Sequence, residues 1–209
     1  MSYLSKGKSM IVALTGCIGS GKSFYLNKIK ELYNYPIFDA DKIAKEAYNE
    51  KEIINQLKDE FNCVIDNKVD FTLLKKQLNE NNITKLNAII HPYVNKRIQK
   101  IKKDYPISFV EVALLYESHM EDLFDLVIAI SIDDKLRHKR LKKRDNTSYE
   151  YMIKLEALQY DNFNKIKNAD YVINSTNDDL INLERLKKVI EDIKKRMWYY
   201  VYIWKKWYL

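Results

Sequence analysis

MIVALTGCIGSGKSFYLNKI, residues 10–29, passes without interruption from an apolar run, through a glycine-bearing turn, into a segment with helical spacing. Within it Gly16–Ser23 fits G-x-x-x-x-G-K-[ST], and its place after a strand and before a helix gives that pattern meaning. The chain has only four glycines, and Gly16, Gly19 and Gly21 are three of them. Glycine tolerates positive φ and leaves no side chain in the way. Successive N–H groups can then turn inward as an anion-binding concavity at a helix N-terminus. In this reading Lys22 reaches the β- and γ-phosphates of a nucleotide, and the Ser23 hydroxyl ligates Mg²⁺. The competing reading, a glycine turn that merely precedes Lys-Ser, requires glycine this scarce to have gathered here by chance. No Thr/Asn-Lys-x-Asp base-reading motif follows, which favours a small-molecule kinase over a GTP-dependent switch.

The rest of the composition bounds the setting. With 209 residues, 46% hydrophobic and 31% charged, the chain suits one globular domain with a full core and smaller inserts. MIVAL at 10–14 is too short for a signal peptide, and the longest apolar run, MWYYVYIW at 197–204, is too short to span a bilayer. Two cysteines, Cys17 and Cys63, make no disulfide framework, so a reducing, cytoplasmic setting is expected. The formal charge of +7 admits a polyanion-binding role. Lysine and asparagine enrichment throughout, together with a phosphate-handling surface, accounts for it without nucleic acid. No nucleic-acid partner is expected, and the chain is expected to be a monomer or weak homo-oligomer.

Short apolar runs alternate with longer helical patterns, which predicts an α/β fold with a parallel sheet. Five strands are expected at Met10–Leu14, Pro36–Phe38, Ile107–Val112, Leu126–Ile130 and Tyr171–Ile173, with helices on both faces. Helical spacing fits 22–33, 40–61, 71–79, 84–103, 133–144, 148–167 and 178–200. In the last of these Leu180, Leu183, Leu186, Ile190, Ile193 and Met197 form one apolar stripe. No repeat or Pro/Gly-rich linker divides the chain. Two stretches exceed a simple crossover, about 50–104 and about 133–167, and are expected to be a helical substrate-binding insert and a helical lid. The core is then about 9–49, 105–132 and 168–196, followed by an aromatic tail at 197–209.

Asp39 and Asp41 follow the second strand, at the carboxyl end of a parallel sheet, where ligands bind. A carboxylate there accepts a proton from an attacking hydroxyl or helps hold Mg²⁺; either aspartate could equally cap the following helix. In KLRHKRLKKRD, Arg137, Arg140 and Arg144 share a helix face. That face suits clamping a phosphoryl group, and it equally suits a solvated or polyanion-binding surface. His91-Pro92 starts or kinks a helix, or presents His91 to a ligand. His119 and His138 have no metal-type partners nearby, so no zinc site is expected.

The ordered set LTGCIGSGKS, IFDADKIAKEAY, IIHPYV, VEVALLYES, RLKKRD and NADYVINS resembles the dephospho-coenzyme A kinase family, of the P-loop nucleoside-monophosphate-kinase-like group. The resemblance covers most of residues 10–175 and implies ATP and Mg²⁺ as cofactors and dephospho-coenzyme A as the small-molecule substrate. It implies that Ile18, Gly19, Ser20, Gly21, Lys22 and Ser23 wrap the ATP phosphates and that Asp41 is the base toward the ribose 3′-hydroxyl. Glu111 matches the family's acidic position and orients water on Mg²⁺; independently, an acid within ISFVEVALL needs a cation or hydrogen-bond partner unless it faces solvent. Arg140 and Arg144 match the lid motif, with Asp145 following. The family's His-Pro pair is matched by His91-Pro92. The chain departs from the pattern at Cys17, where glycine is usual, and at Ala113, where proline is usual. Phe71 and Lys165 stand where arginines are common, and an arginine at a phosphate or carboxylate contact is not replaced by Phe without consequence. The rival readings are another P-loop kinase acting on a nucleoside monophosphate or similar acceptor, and a non-catalytic polyanion-binding protein that retains the loop.

Overall fold

The computed structural model describes residues 9–79, 82–145 and 162–208, with the backbone alone described at 144, 145, 162 and 200–208. It divides into two compact units, with boundaries between Phe38 and Asp39 and between Ile101 and Lys102.

The larger unit is built on a five-stranded parallel sheet. Its central strand, β1 (Met10–Thr15), is buried along its whole length, as a strand covered on both faces must be. β1 pairs in parallel with β5 (Ile107–Glu111) on one side and with β6 (Leu126–Ile132) on the other. β2 (Ile37–Asp39) lies outside β5, and β7 (Tyr171–Ser175) lies outside β6. The strand order reverses at β1, which puts the crevice for a ligand at its carboxyl end.

Register is pinned by a device used twice. Asp125, just before β6, accepts from the Ile11 N–H of β1 at 2.8 Å, and Asp170, just before β7, accepts from the Val127 N–H of β6 at 2.8 Å. Each carboxylate satisfies a backbone donor at the start of a neighbouring strand and fixes the offset between the two strands. The edge strand β7 alternates in burial instead of being buried throughout, because only one of its faces meets the core.

One face of the sheet is covered by α1 (Lys22–Tyr33) and α8 (Asp179–Tyr208). Val12, Leu14, Phe109, Ile128 and Ile130 pack there with Tyr25, Ile29, Leu186, Ile190 and Ile193. Each such side chain stabilises the fold by about 1.5–3 kcal/mol on burial. The stripe expected on α8 holds at Leu186, Ile190 and Ile193, but Leu180 is 74% exposed and Asn182 is buried in the first turn. Asn182 is needed there as a clasp: its side chain accepts from the Thr176 N–H at 2.8 Å and donates to the Thr176 carbonyl at 3.0 Å. α8 also runs on to Tyr208, through the aromatic tail, instead of ending near 200.

The unit Asp39–Ile101 contains α2 (Ala40–Ala47), α3 (Lys51–Phe61), α4 (Phe71–Gln77) and most of α5 (Ile83–Asp104). The single helix expected over 40–61 is broken at Tyr48–Glu50. The N–H groups of Tyr48, Asn49 and Glu50 each bond three residues back, and Glu50 is extended. A two-residue hairpin not expected from the sequence, β3 (Val64–Ile65) and β4 (Lys68–Val69), turns at Asp66-Asn67. Both turn residues have positive φ, 47° and 58°, the signature of a type I′ turn. Pro92 lies inside α5 and does not begin it. Among the described residues no helix is long and apolar enough to cross a membrane. The segment 146–161, which includes most of the expected lid helix over 148–167, lies outside the described residues.

Candidate active site

β1 ends at Thr15, and the chain turns through Gly16–Gly21 into α1. Gly16, Gly19 and Gly21 have φ of 149°, 81° and 96°, all in the region that favours glycine. The loop is also too crowded for side chains at these positions. A Cβ on Gly16 meets the Ile130 carbonyl at 2.6 Å, one on Gly19 meets Leu141 Cγ at 2.8 Å, and one on Gly21 meets an Arg140 nitrogen at 3.1 Å. α1 then starts without a side-chain cap and without an acidic residue in its first turn. Its N-terminus therefore presents backbone donors and a positive dipole end to the loop.

Lys22 is buried and folds back over this loop. Its ammonium donates to the Gly16 carbonyl at 3.0 Å and lies 3.9 Å from Glu111 Oε1. Glu111 ends β5, opposite Leu14 in the β1–β5 register, so the sheet itself delivers the carboxylate to the loop. Ser23 is exposed at the start of α1. Among the described residues the buried Ser20 hydroxyl has no hydrogen-bond partner.

α6 (Asp134–Asp145) lies against the loop. Arg137 is buried and pairs with Asp134 at 3.0 Å. Arg140 donates to the Ser20 carbonyl at 3.3 Å and to Ser175 Oγ at 3.0 Å, and also to the Thr176 carbonyl. The alternative of a wholly solvated charged face does not hold for these two arginines. Arg140 instead ties the loop, α6 and the end of β7 together. The side chain of Arg144 lies outside the described residues.

Lys165, on α7 (Asn162–Lys167), is fully buried. It donates to the Ala113 carbonyl at 2.7 Å and pairs with Glu117 at 2.9 Å. Glu117 ends the Leu-Leu-x-Glu of the quoted VEVALLYES stretch, a landmark of the resemblance to which the sequence attaches no role; the structure makes it the partner of Lys165. Burial pushes the Cys17 thiol up, opposed by the charges of Lys165, Arg137 and Lys22, so cations converge on the loop from three elements.

In the other unit, Asp39 is the N-cap of α2. Its carboxylate accepts from the N–H groups of Asp41 and Lys42, at 2.9 and 3.1 Å. That assigns it the capping role of the two open at the sequence level. Asp41 sits exposed in the first turn of the same helix. Among the described residues no group of three or more His, Cys, Asp or Glu could hold a metal ion. A cation at the loop therefore depends on ligands such as Ser23 and on the substrate's own oxygens.

A glycine cradle with a lysine and an acid beside it is shared by many nucleotide-binding families, and comparison with known proteins narrows the choice. The family model described as dephospho-CoA kinase matches residues 10–180. The dephospho-CoA kinase of Fusobacterium nucleatum is 35% identical over 190 residues, which cover 87% of this chain and 95% of that protein. Among solved structures, protein TT1252 of Thermus thermophilus superposes with a TM-score of 0.78 at 27% identity, over 88% of this chain and 97% of that one. The dephospho-CoA kinase of Campylobacter jejuni does so with a TM-score of 0.57 at 26% identity, over the same shares. With the match running from the first strand to the start of the last helix, the chain belongs to the dephospho-CoA kinase family.

Proposed function

We propose that this protein transfers the γ-phosphoryl group of ATP to the ribose 3′-hydroxyl of dephospho-coenzyme A, giving coenzyme A and ADP. The observation that carries the phosphoryl-transfer chemistry is Lys22, a buried cation held across the glycine loop between the Gly16 carbonyl and Glu111, and membership of the family supports the acceptor. Such a cation, with the backbone donors of Ile18–Ser23, neutralises phosphate charge that grows as the bond to the leaving oxygen breaks. Ser23 and, through water, Glu111 are the residues suited to hold Mg²⁺, which supplies further charge neutralisation at the phosphates.

Asp41 is the proposed base. Its carboxylate takes the proton of the 3′-hydroxyl as that oxygen bonds to phosphorus, and the bridging oxygen leaves with ADP. Arg140 and Arg144 are the proposed lid cations. Arg140 now donates to protein oxygens, so its engagement with phosphate requires exchanging those bonds for charge-assisted ones. The stretch of about 50–104 is the proposed acceptor-binding insert and about 133–167 the proposed lid.

The test is ADP release from ATP and Mg²⁺ with dephospho-coenzyme A, compared with nucleoside monophosphates, using Lys22→Ala as the blank. Turnover confined to dephospho-coenzyme A and lost in the blank is the expected result. Turnover only with a nucleoside monophosphate overturns the acceptor, and no turnover with any acceptor overturns the kinase reading.

A further inference from the structure

α8 packs on the sheet through Leu186, Ile190, Ile193 and Met197, and its helical backbone then runs on to Tyr208. Met197 lines one cavity with Ser9 and Met10 and another with Pro106 and Ile107, so it stands where β1 and β5 begin. The turns that follow, about 16 Å of helix, therefore pass the starting end of the sheet. The phosphate loop lies at the other end, after β1. Just beyond Met197, Trp198 is 75% exposed and Tyr199 63%. The second of the two cavities, about 710 Å³, sets Trp198 beside Tyr33, Tyr35 and Tyr105, and its lining holds Lys194 but no aspartate or glutamate. Large aromatic side chains left open together mark an interaction surface.

The tail MWYYVYIWKKWYL, residues 197–209, holds all three tryptophans of the chain. From Ile193 onward the sequence has five basic residues, Lys194, Lys195, Arg196, Lys205 and Lys206, and no acidic one. Arg196 is engaged by Asp192 at 3.3 Å. Lys205-Lys206 repeats Lys194-Lys195 eleven residues later, close to a whole number of helical turns, so the four lysines fall on one side of α8. Tyr199, Ile203, Trp204, Trp207 and Tyr208 fall on the rest of the circumference with Met197, while Trp198 and Tyr202 fall among the lysines.

We infer that this end of α8 binds a bilayer surface bearing anionic phospholipids, its aromatic side entering the boundary between headgroups and acyl chains and its lysine side meeting the lipid phosphates. Trp and Tyr join an apolar body to a polar tip, which suits that boundary. A lysine-rich side with Trp opposite is the pattern of a helix that lies in the interface. The helix beyond Met197 is about half of the ~30 Å hydrocarbon core, so it is held at the surface and does not span it. A seam between two copies of this chain is built instead from branched aliphatic side chains repeating every ~3.5 residues, and residues 197–208 hold just Val201 and Ile203. A second copy would also bring like charges together, whereas an anionic surface complements them. Attachment at the strand starts leaves the phosphate loop turned to water.

The test is partition of the full chain into vesicles of phosphatidylcholine alone and of equimolar phosphatidylcholine and phosphatidylglycerol. It is read by co-sedimentation and by tryptophan emission, which reports on residues 197–209 alone. The expected result is binding to the mixed vesicles with a blue shift, weakening as salt is added, and little binding to phosphatidylcholine. Lys205→Gln/Lys206→Gln should lower the partition coefficient roughly 30-fold. Lys75→Gln/Lys76→Gln, an exposed pair in the unit Asp39–Ile101, removes the same charge and should lower it less than about threefold. Equal losses in the two double variants overturn the inference, because net charge alone then decides. Equal binding to both kinds of vesicle, or to neither, overturns it as well. Emission already blue-shifted in buffer and unmoved by the mixed vesicles also overturns it, and sedimentation equilibrium then shows whether a second copy covers the tail.

Discussion

Replacing Lys165 by methionine should destabilise the protein far more than an ordinary lysine substitution. The Lys165 side chain is fully buried, the Glu117 side chain is 12% exposed, and they meet at 2.9 Å. The ammonium also satisfies the Ala113 carbonyl at 2.7 Å. Methionine keeps the volume but leaves a nearly buried carboxylate without this cation and a carbonyl without this donor. Breaking one partner of a buried pair costs about 3–5 kcal/mol, a large part of the ~5–15 kcal/mol that holds a typical domain together. For a chain of this size that lowers Tm by about 6–20 °C. Glu117→Gln removes the charge that Lys165 faces. Lys165→Met/Glu117→Gln should therefore be about 2 kcal/mol more stable than Lys165→Met alone, so the losses of the two single variants do not add, as is usual for residues in direct contact. Urea unfolding of the wild type, both single variants and the double variant measures all terms of the cycle. A loss below about 1 kcal/mol in Lys165→Met, or a double variant whose loss equals the sum of the singles, would refute the reasoning.

Alanine at the loop glycines should cost stability in the order Gly16, then Gly19, then Gly21. The intruding Cβ meets a backbone carbonyl at the first, the branched end of Leu141 at the second and the tip of the flexible Arg140 at the third. Each also carries about 1–3 kcal/mol of backbone strain; thermal melts of the three variants check the order, and equal losses would show that strain alone decides. At alkaline pH, Tyr116 and Tyr171 are pushed up to about 12, both chiefly by burial, with Asp192 accepting from the Tyr171 hydroxyl. The folded state therefore holds these protons more tightly than the unfolded chain. The stability they confer is fully present below about pH 10 and is lost as pH rises toward 12, alongside tyrosinate absorbance that appears earlier in urea than in buffer.

The phosphate loop was legible because glycine scarcity and a strand–helix frame left few other uses for Gly16–Ser23. Glu111 was legible for a related reason: an acid in an apolar strand has to meet something, and the β1–β5 register supplies Lys22. Asp39 was half legible, since the same carboxylate chemistry serves a helix cap and a proton acceptor, and only the bonds to Asp41 and Lys42 distinguish them. The β3–β4 hairpin escaped because two-residue strands are too short for alternation to register, although Asp66-Asn67 between Val64-Ile65 and Val69 carried a turn signal. The break at Tyr48–Glu50 escaped because the apolar spacing of α2 continues into α3 almost in phase. The anchoring of Arg140 could not be read at all, because Ser175 lies 35 residues away and only the fold makes them neighbours.

Phe71 and Lys165, the two departures most open to a functional objection, are answered by different physics. Lys165 keeps the cation and commits it internally. The shorter, more flexible side chain reaches one carboxylate and one carbonyl, and a guanidinium brings five donors that a fully buried site must satisfy. Phe71 gives up the cation and takes a packing role instead: its half-exposed ring meets the Tyr48 ring edge to face at 5.0 Å, so the side chain at this position holds the first turn of α4 against the end of α2 through apolar contact and not through charge.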